Sequence, residues 1–186
     1  MLYFVRHGET EANRTKVSNG RTDYPLNETG ILQAQAVALQ LKDISFSAMY
    51  TSSLSRAKKT CELINQYHNN QIVTEPRLVE RDYGCFENTV SDEQTRCNIW
   101  NTHLNLEVKN GERVKDLMQR VCAFLTELEA KHNPTENILL VAHGGVGRCV
   151  ECYFNGIPSD GKLLHLRPNN ATAKVYDFNK KTNQPS

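Results

Sequence analysis

The sequence predicts a single layered α/β domain, on three observations. Short β-rich runs alternate with segments of helical periodicity along the chain. Its 186 residues suit one domain, at roughly 150 residues each, with room for a small lid. No internal repeat, low-complexity tract or long linker divides it. A chain of this length buries about 70% of its extended surface, so its core needs no metal or disulfide staple.

The elements follow in order. Leu2–Val5 reads as a first buried strand. Asn27 can cap a helix whose apolar stripe is expected at Ile31, Leu32, Ala36, Leu39 and Leu41. Ala48–Thr51 is a short second strand. Ser53 is expected to cap the next helix, with Ala57, Cys61 and Ile64 on one face. Ile72–Thr74 is a weaker third strand, ended by Pro76. Residues 83–112 hold few periodic apolar positions and the single tryptophan, Trp100; they read as an irregular, partly helical excursion. Val114, Leu117, Val121, Leu125 and Leu128 mark an amphipathic helix that closes near Asn133-Pro134. Ile138–Ala142 is the clearest buried strand, and a helix follows from about Gly145 to Phe154, ending at Gly156-Ile157-Pro158. Leu163–Leu166 and Lys174–Phe178 are expected as final strands, and Lys180–Ser186 as frayed.

Composition narrows the function. Lys and Arg total 22 against 21 Asp and Glu, a net charge of +1, which lacks the bulk basic charge of a nucleic-acid binder. With 39% hydrophobic and 23% charged residues, the chain suits neither disorder nor a membrane span. The apolar run Met1–Val5 stops at Arg6, too short for a secretory signal. The expected location is therefore cytoplasmic, where the six cysteines are free thiols. Cys149-Val150-Glu151-Cys152 matches a redox C-x-x-C. Its first cysteine lies about a turn inside the expected helix rather than at the N-terminus that activates such thiols, so packing is expected. Zinc lacks a second ligand pair at suitable spacing.

Three strand-to-helix junctions carry basic side chains. Arg6-His7-Gly8 follows the first strand. Arg56 lies near the start of the helix after the second, and His143-Gly144-Gly145 follows the strongest strand. If these strands run parallel, the junctions share the edge where α/β sheets bind ligands. Helix N-termini there add partial positive charge. Two arginines and two histidines gathered in this way suit a phosphoryl group.

Five ordered motifs are similar to those of the histidine phosphatase superfamily, the phosphoglycerate-mutase-like proteins. They are Arg6-His7-Gly8-Glu9-Thr10 with Asn13; Arg21-x-Asp23-x-Pro25-Leu26 with Gly30 and Gln33-Ala34; and Ser52-x-Leu54-x-Arg56-Ala57 with Thr60. Glu80 with Tyr83-Gly84 and Phe86-Glu87 is the fourth, and Val141-Ala142-His143-Gly144-Gly145 with Arg148 the fifth. The resemblance implies a three-layer fold, a mostly parallel sheet with helices on both faces. It makes residues 1–186 one domain, with 83–112 selecting the substrate. His7 would be the nucleophile that forms a phosphohistidine. Arg6, Arg56 and His143 would bind the equatorial oxygens, and Glu80 would be the acid and base. Gly8, Asn13, Gly20, Arg81, Tyr83 and Gly144 would contact substrate. No cofactor or metal is expected, because the guanidinium groups supply the fixed positive charge.

The resemblance implies a phosphomonoester hydrolase acting on a small polar phosphometabolite, with no nucleic-acid or membrane partner; oligomeric state is not legible. A phosphoglycerate mutase is the alternative, because Glu80-Arg81-Asp82-Tyr83-Gly84 resembles the mutase loop. Against it, residues 84–112 lack paired arginines for a substrate carboxylate, with Arg96, Lys109 and Arg113 scattered. Little chain follows Phe178 to cover the site. Asn88 replaces a frequent glycine, a position that Asn tolerates. A catalytically silent phosphoprotein-binding domain is the alternative of another class; retention of His7 and Glu80 argues for an enzyme.

Overall fold

Five strands form one sheet in the order β3-β2-β4-β1-β5. The computed structural model describes residues 1–182. Along the chain run β1 (Leu2–Arg6), α1 (Glu11–Arg14), α2 (Glu28–Leu41), β2 (Ala48–Thr51), α3 (Ser55–Asn65) and β3 (Ile72–Thr74). Then come α4 (Glu93–Ile99), α5 (Val114–Lys131), β4 (Ile138–Ala142), α6 (Gly144–Asn155) and β5 (Ala173–Tyr176). Strands β1 to β4 are parallel to their neighbours, and β5 runs antiparallel along β1. The sheet is thus mostly parallel, as expected.

Alternation along the strands sorts two cores. Leu2, Phe4, Tyr50, Ile138, Leu140 and Ala142 face α5 and α6. Val5, Met49, Leu139 and Val141 face α2 and α3. All five residues of β4 are buried, which is why its sequence reads as an unbroken apolar run. Adjacent strands β1 and β4 send their chains in opposite directions along the sheet, to β2 and β5. That divergence opens a crevice at their C-terminal ends.

Several expectations are corrected. Asn27 caps α2 as expected, accepting from Gly30 N–H at 2.8 Å. The buried face of α2 is Gly30, Ala34, Val37, Ala38 and Leu41. Leu32 and Leu39 point to solvent, 66% and 54% exposed. The reason is close approach: a Cβ on Gly30 would sit 2.0 Å from the Glu9 carbonyl oxygen, so the side of the helix that carries Gly30 faces inward. Ser53 does not cap α3. Asp23 Oδ1 accepts from both the N–H and the hydroxyl of Ser55 instead. Leu163–Leu166 forms no strand; residues 164–166 make a 3-10 turn, because the Leu163 and Leu164 carbonyls accept from the Arg148 guanidinium rather than from a ladder. The last strand ends at Tyr176, and Phe178 opens another 3-10 turn. Lys180–Thr182 are not frayed: Lys181 pairs with Glu129, and Thr182 N–H donates to the Phe154 carbonyl. Residues 183–186 lie outside the described residues.

Candidate active site

His7 extends β1 by one residue. Its N–H donates to the Ala142 carbonyl at 2.9 Å, which seats the ring in the crevice between β1 and β4. A carbonyl only accepts, so the 2.7 Å contact between Nδ1 and Gly8 O puts the proton on Nδ1. Nε2 therefore carries the lone pair. Burial pushes the His7 pKa well below its ordinary value, and the neighbouring Arg6 and Arg56 charges push the same way. Neutral imidazole with a free Nε2 is the form a nucleophile needs.

His143 lies 5.2 Å from His7, ring centroid to ring centroid. It is the N-cap of α6, and its Nε2 meets Ser52 Oγ at 2.7 Å. Burial and Arg56 depress its pKa as well. Arg56, fully buried on α3, donates from Nη1 to the Thr22 carbonyl and from Nη2 to the Gly20 carbonyl. Arg6 donates from Nη1 to the Pro168 carbonyl. Burial works against both charges, and the Glu80 carboxylate works for them. Arg6 Nε, Arg56 Nε and His143 Nδ1 are buried with no protein partner. An unmet buried donor costs about 1–3 kcal/mol, so the cluster is matched to an anion.

Glu80 sits opposite. Its Oε2 accepts from Gly145 N–H at 3.0 Å and its Oε1 from Arg81 N–H at 2.8 Å. A Cβ on Gly145 would lie 2.1 Å from Glu80 Oε1, so the glycine lets the carboxyl reach the start of α6. The chain leading to Glu80 is held from behind by Arg120 on α5. Its guanidinium donates to the carbonyls of Arg77, Val79 and Glu80 and pairs with Glu112. Glu87 joins this loop to the one that holds Arg56, accepting from Arg21 N–H, from Thr22 N–H and hydroxyl, and from Tyr83 N–H. Gly20, with φ of +53°, leaves room for that carboxylate, which a Cβ would meet at 2.0 Å.

These groups surround a cavity of about 330 Å³ lined by Arg6, His7, Asn13, Gly20, Arg56, Glu80, Tyr83 and Gly144, among others. Asn13 Oδ1 accepts from Thr10 N–H and Asn170 Nδ2, so its amide N–H₂ is the group left to donate. Tyr83 packs edge-on against Trp100; burial, then Glu80, pushes its hydroxyl pKa up to about 12, so it stays protonated. His143 stands behind this lining, beside His7.

Two of the expected substrate contacts, Gly8 and Arg81, do not line this cavity. Gly8 is packing: its N–H donates to Thr60 Oγ1, and a Cβ there would sit 2.2 Å from the Gly30 carbonyl oxygen. Arg81 is fully buried, donates to the Ile99 and Glu112 carbonyls, and lies over Trp100. Nε and Nη1 are spent on fold, and Nη2 is buried with no protein partner. Conversely, Lys16, Asn19, Glu93, Arg96, Trp100, Arg148 and Arg167 line the cavity and were not expected to. Arg148 falls within the fifth motif; Lys16 and Arg167 sit in loops with no periodic signal. Cys149 and Cys152 are buried in α6, and burial raises both thiol pKa values, consistent with packing.

Comparison with known proteins places this geometry. The family model of the histidine phosphatase superfamily (branch 1) matches residues 2–185. The chain is 34% identical over 174 residues to "Uncharacterized phosphatase PhoE" of Bacillus subtilis (strain 168), covering 94% of this chain and 86% of that one. It is 32% identical over 186 residues to "Probable phosphoglycerate mutase GpmB" of Yersinia pestis (strain Pestoides F), covering 95% and 84%. The crystal structure of the alpha-ribazole phosphatase from Shigella flexneri superposes with a TM-score of 0.77 at 28% identity, over 100% of this chain and 98% of the other.

Proposed function

The chain belongs to the histidine phosphatase superfamily, and from that premise we propose that it hydrolyses small polar phosphomonoesters through a phosphohistidine on His7. The observation that carries this reading is the state of His7: Nδ1–H bound to the Gly8 carbonyl, Nε2 free, and three unpartnered polar nitrogens around the crevice. Nε2 attacks phosphorus as the ester P–O bond breaks, and Glu80 in its acid form gives its proton to the departing oxygen. Alcohol leaves and His7 holds the phosphoryl group. Glu80, now a carboxylate, takes a proton from water. The water oxygen attacks phosphorus, the P–N bond breaks, and inorganic phosphate leaves with His7 neutral again. Arg6, Arg56, His143, Asn13 and the Gly144 N–H hold the equatorial oxygens throughout.

The mutase reading is kept because several relatives carry that name. It is weakened by Arg81, the residue that would hold the sugar acid, being buried on carbonyls. Exposed residues at the cavity mouth let water compete for the phosphohistidine. Charge near neutrality argues against a nucleic-acid partner, and no helix among the described residues is long and apolar enough to cross a membrane. A cytoplasmic location and a single domain, with 83–112 choosing the substrate, belong to the same reading.

The test has two parts. His7→Ala should abolish turnover with the fold retained, and trapped enzyme should carry a phosphoryl label stable in alkali and lost in acid. With 3-phosphoglycerate, phosphate release should outpace isomer formation; the reverse result makes the chain a mutase. Undiminished activity in His7→Ala sinks the mechanism.

A further inference from the structure

Lys16, Arg96 and Arg167 stand at the mouth of the cavity, all exposed, from three separate segments. Lys16 follows α1, Arg96 lies on α4, and Arg167 lies between the 164–166 turn and β5. None makes an ion pair among the described residues. Arginines elsewhere on the surface behave differently: Arg14, Arg21, Arg77, Arg113 and Arg120 each lie against a carboxylate. One carboxylate, Glu93, shares the mouth. Arg167 comes nearest the phosphoryl cradle, with its Nε 3.2 Å from where a Cβ on Gly144 would sit. Its charge is felt by Arg6, His7 and Arg148.

A phosphoryl group is already matched by Arg6, Arg56, His7 and His143. The mouth cations are positive charge in excess of that need, converging on one opening in a chain with a net charge of only +1. Three cations to one carboxylate, with no ion pair formed between them, leave net positive charge at the mouth, and an anion between the cations relieves their repulsion. We propose that Lys16, Arg96 and Arg167 form a second anion subsite, and that the substrate is a phosphomonoester whose remainder carries a second anionic group, a carboxylate or another phosphate. The proposal rests on the cavity being a phosphomonoesterase site. The volume of about 330 Å³ suits a metabolite of small size.

Two matched pairs test it on the full chain: 3-phosphoglycerate against glycerol 3-phosphate, and fructose 1,6-bisphosphate against fructose 6-phosphate. The first pair exchanges a carboxylate for a hydroxymethyl group, the second a phosphate for a hydroxyl. The anionic member of at least one pair should show roughly tenfold higher kcat/KM, mainly through KM, and the preference should shrink as salt rises; which pair responds tells carboxylate from phosphate. Lys16→Gln, Arg96→Gln and Arg167→Gln should each cut kcat/KM for that substrate about threefold or more beyond any loss on its partner. Equal kcat/KM within both pairs, or equal losses on both members, overturns the subsite. The same pairs are measured for Kd on His7→Ala, which needs no turnover. If wild-type chain hydrolyses none of the four, nor p-nitrophenyl phosphate, the phosphatase reading falls. The Kd ratio then decides the subsite alone, an anionic preference supporting it and equal affinity overturning it.

Discussion

His7 and His143 are buried histidines held neutral by their surroundings, and this has a consequence for stability. Burial, reinforced by the arginines, lowers both folded pKa values below the ordinary 6.5. As pH falls through about 6.5, the unfolded chain takes up these protons before the folded one does. Stability therefore falls with acidification, from near pH 7 down toward the folded pKa values, by up to about 1.4 kcal/mol per pH unit for each histidine. Urea titrations at pH 7 and pH 5.5 should show this drop, and His143→Gln should reduce it. An unchanged difference in His143→Gln would contradict the assignment. Glu80 carries a separate expectation. Glu80→Gln should slow an alkyl phosphate by about 10²–10⁴-fold, with a far smaller loss on p-nitrophenyl phosphate, whose leaving oxygen needs no proton. Equal losses would remove Glu80 from the acid role. Arg6, His7, Arg56 and His143 were legible in the sequence because each stands at the end of a strand, directly after one, or at the start of a helix. Arg81 was not. Its guanidinium is claimed by carbonyls at Ile99 and Glu112, and those come near only once the irregular excursion has folded.

Elements whose burial follows one clear period were read well. Val114, Leu117, Val121, Leu125 and Leu128 are all buried on α5, and β4 is buried throughout. Helix α2 misled because it is apolar on more than one side, so hydrophobicity alone does not say which side faces in. The close passage of Glu9 beside Gly30 decides that, and no local pattern encodes it. Identical substitutions on the two helices make this measurable. Leu125→Ala, at a site with no exposure, should cost about 2–5 kcal/mol. Leu39→Ala, at a site 54% exposed, should stay within about 0.5 kcal/mol. Chemical denaturation of both variants checks it, and comparable losses would mean that the exposed face of α2 is covered. The expected strand at 163–166 failed for a different reason. Its apolar residues are buried or half-buried, but its carbonyls are committed to Arg148, so apolar character and ladder pairing part company.

At the scale of the molecule, the cradle is a store of unmet polar groups that an anion satisfies. Orthovanadate, which can adopt the five-coordinate geometry of phosphoryl transfer, should inhibit and should stabilise the fold. At a hundred times its Kd it should add about 2.7 kcal/mol, which is roughly a 5–10 °C rise in Tm for a chain of this size. A scanning calorimeter reads this directly, and no rise together with no inhibition would argue against the cradle. EDTA should change neither activity nor Tm, because Arg6 and Arg56 supply fixed positive charge; activity lost in EDTA and restored by a divalent cation would point to metal-assisted hydrolysis instead.

The bonds that bring the cradle's segments together span long stretches of chain. Arg6 reaches Pro168, His7 pairs with Ala142, Arg56 reaches Gly20, and Glu80 reaches Gly145. Strand β1 is flanked by β4 and β5, the last two strands in chain order. High separation of contacting residues slows folding, and here it also makes activity the last property acquired. On refolding from denaturant, helical signal from α2 and α3 should return ahead of phosphatase activity. The activity should follow the phase in which the full sheet closes. A nascent chain halted before β4 would hold His7 and Arg56 yet lack Ala142, His143 and Gly145, so turnover must wait for β4 and the start of α6.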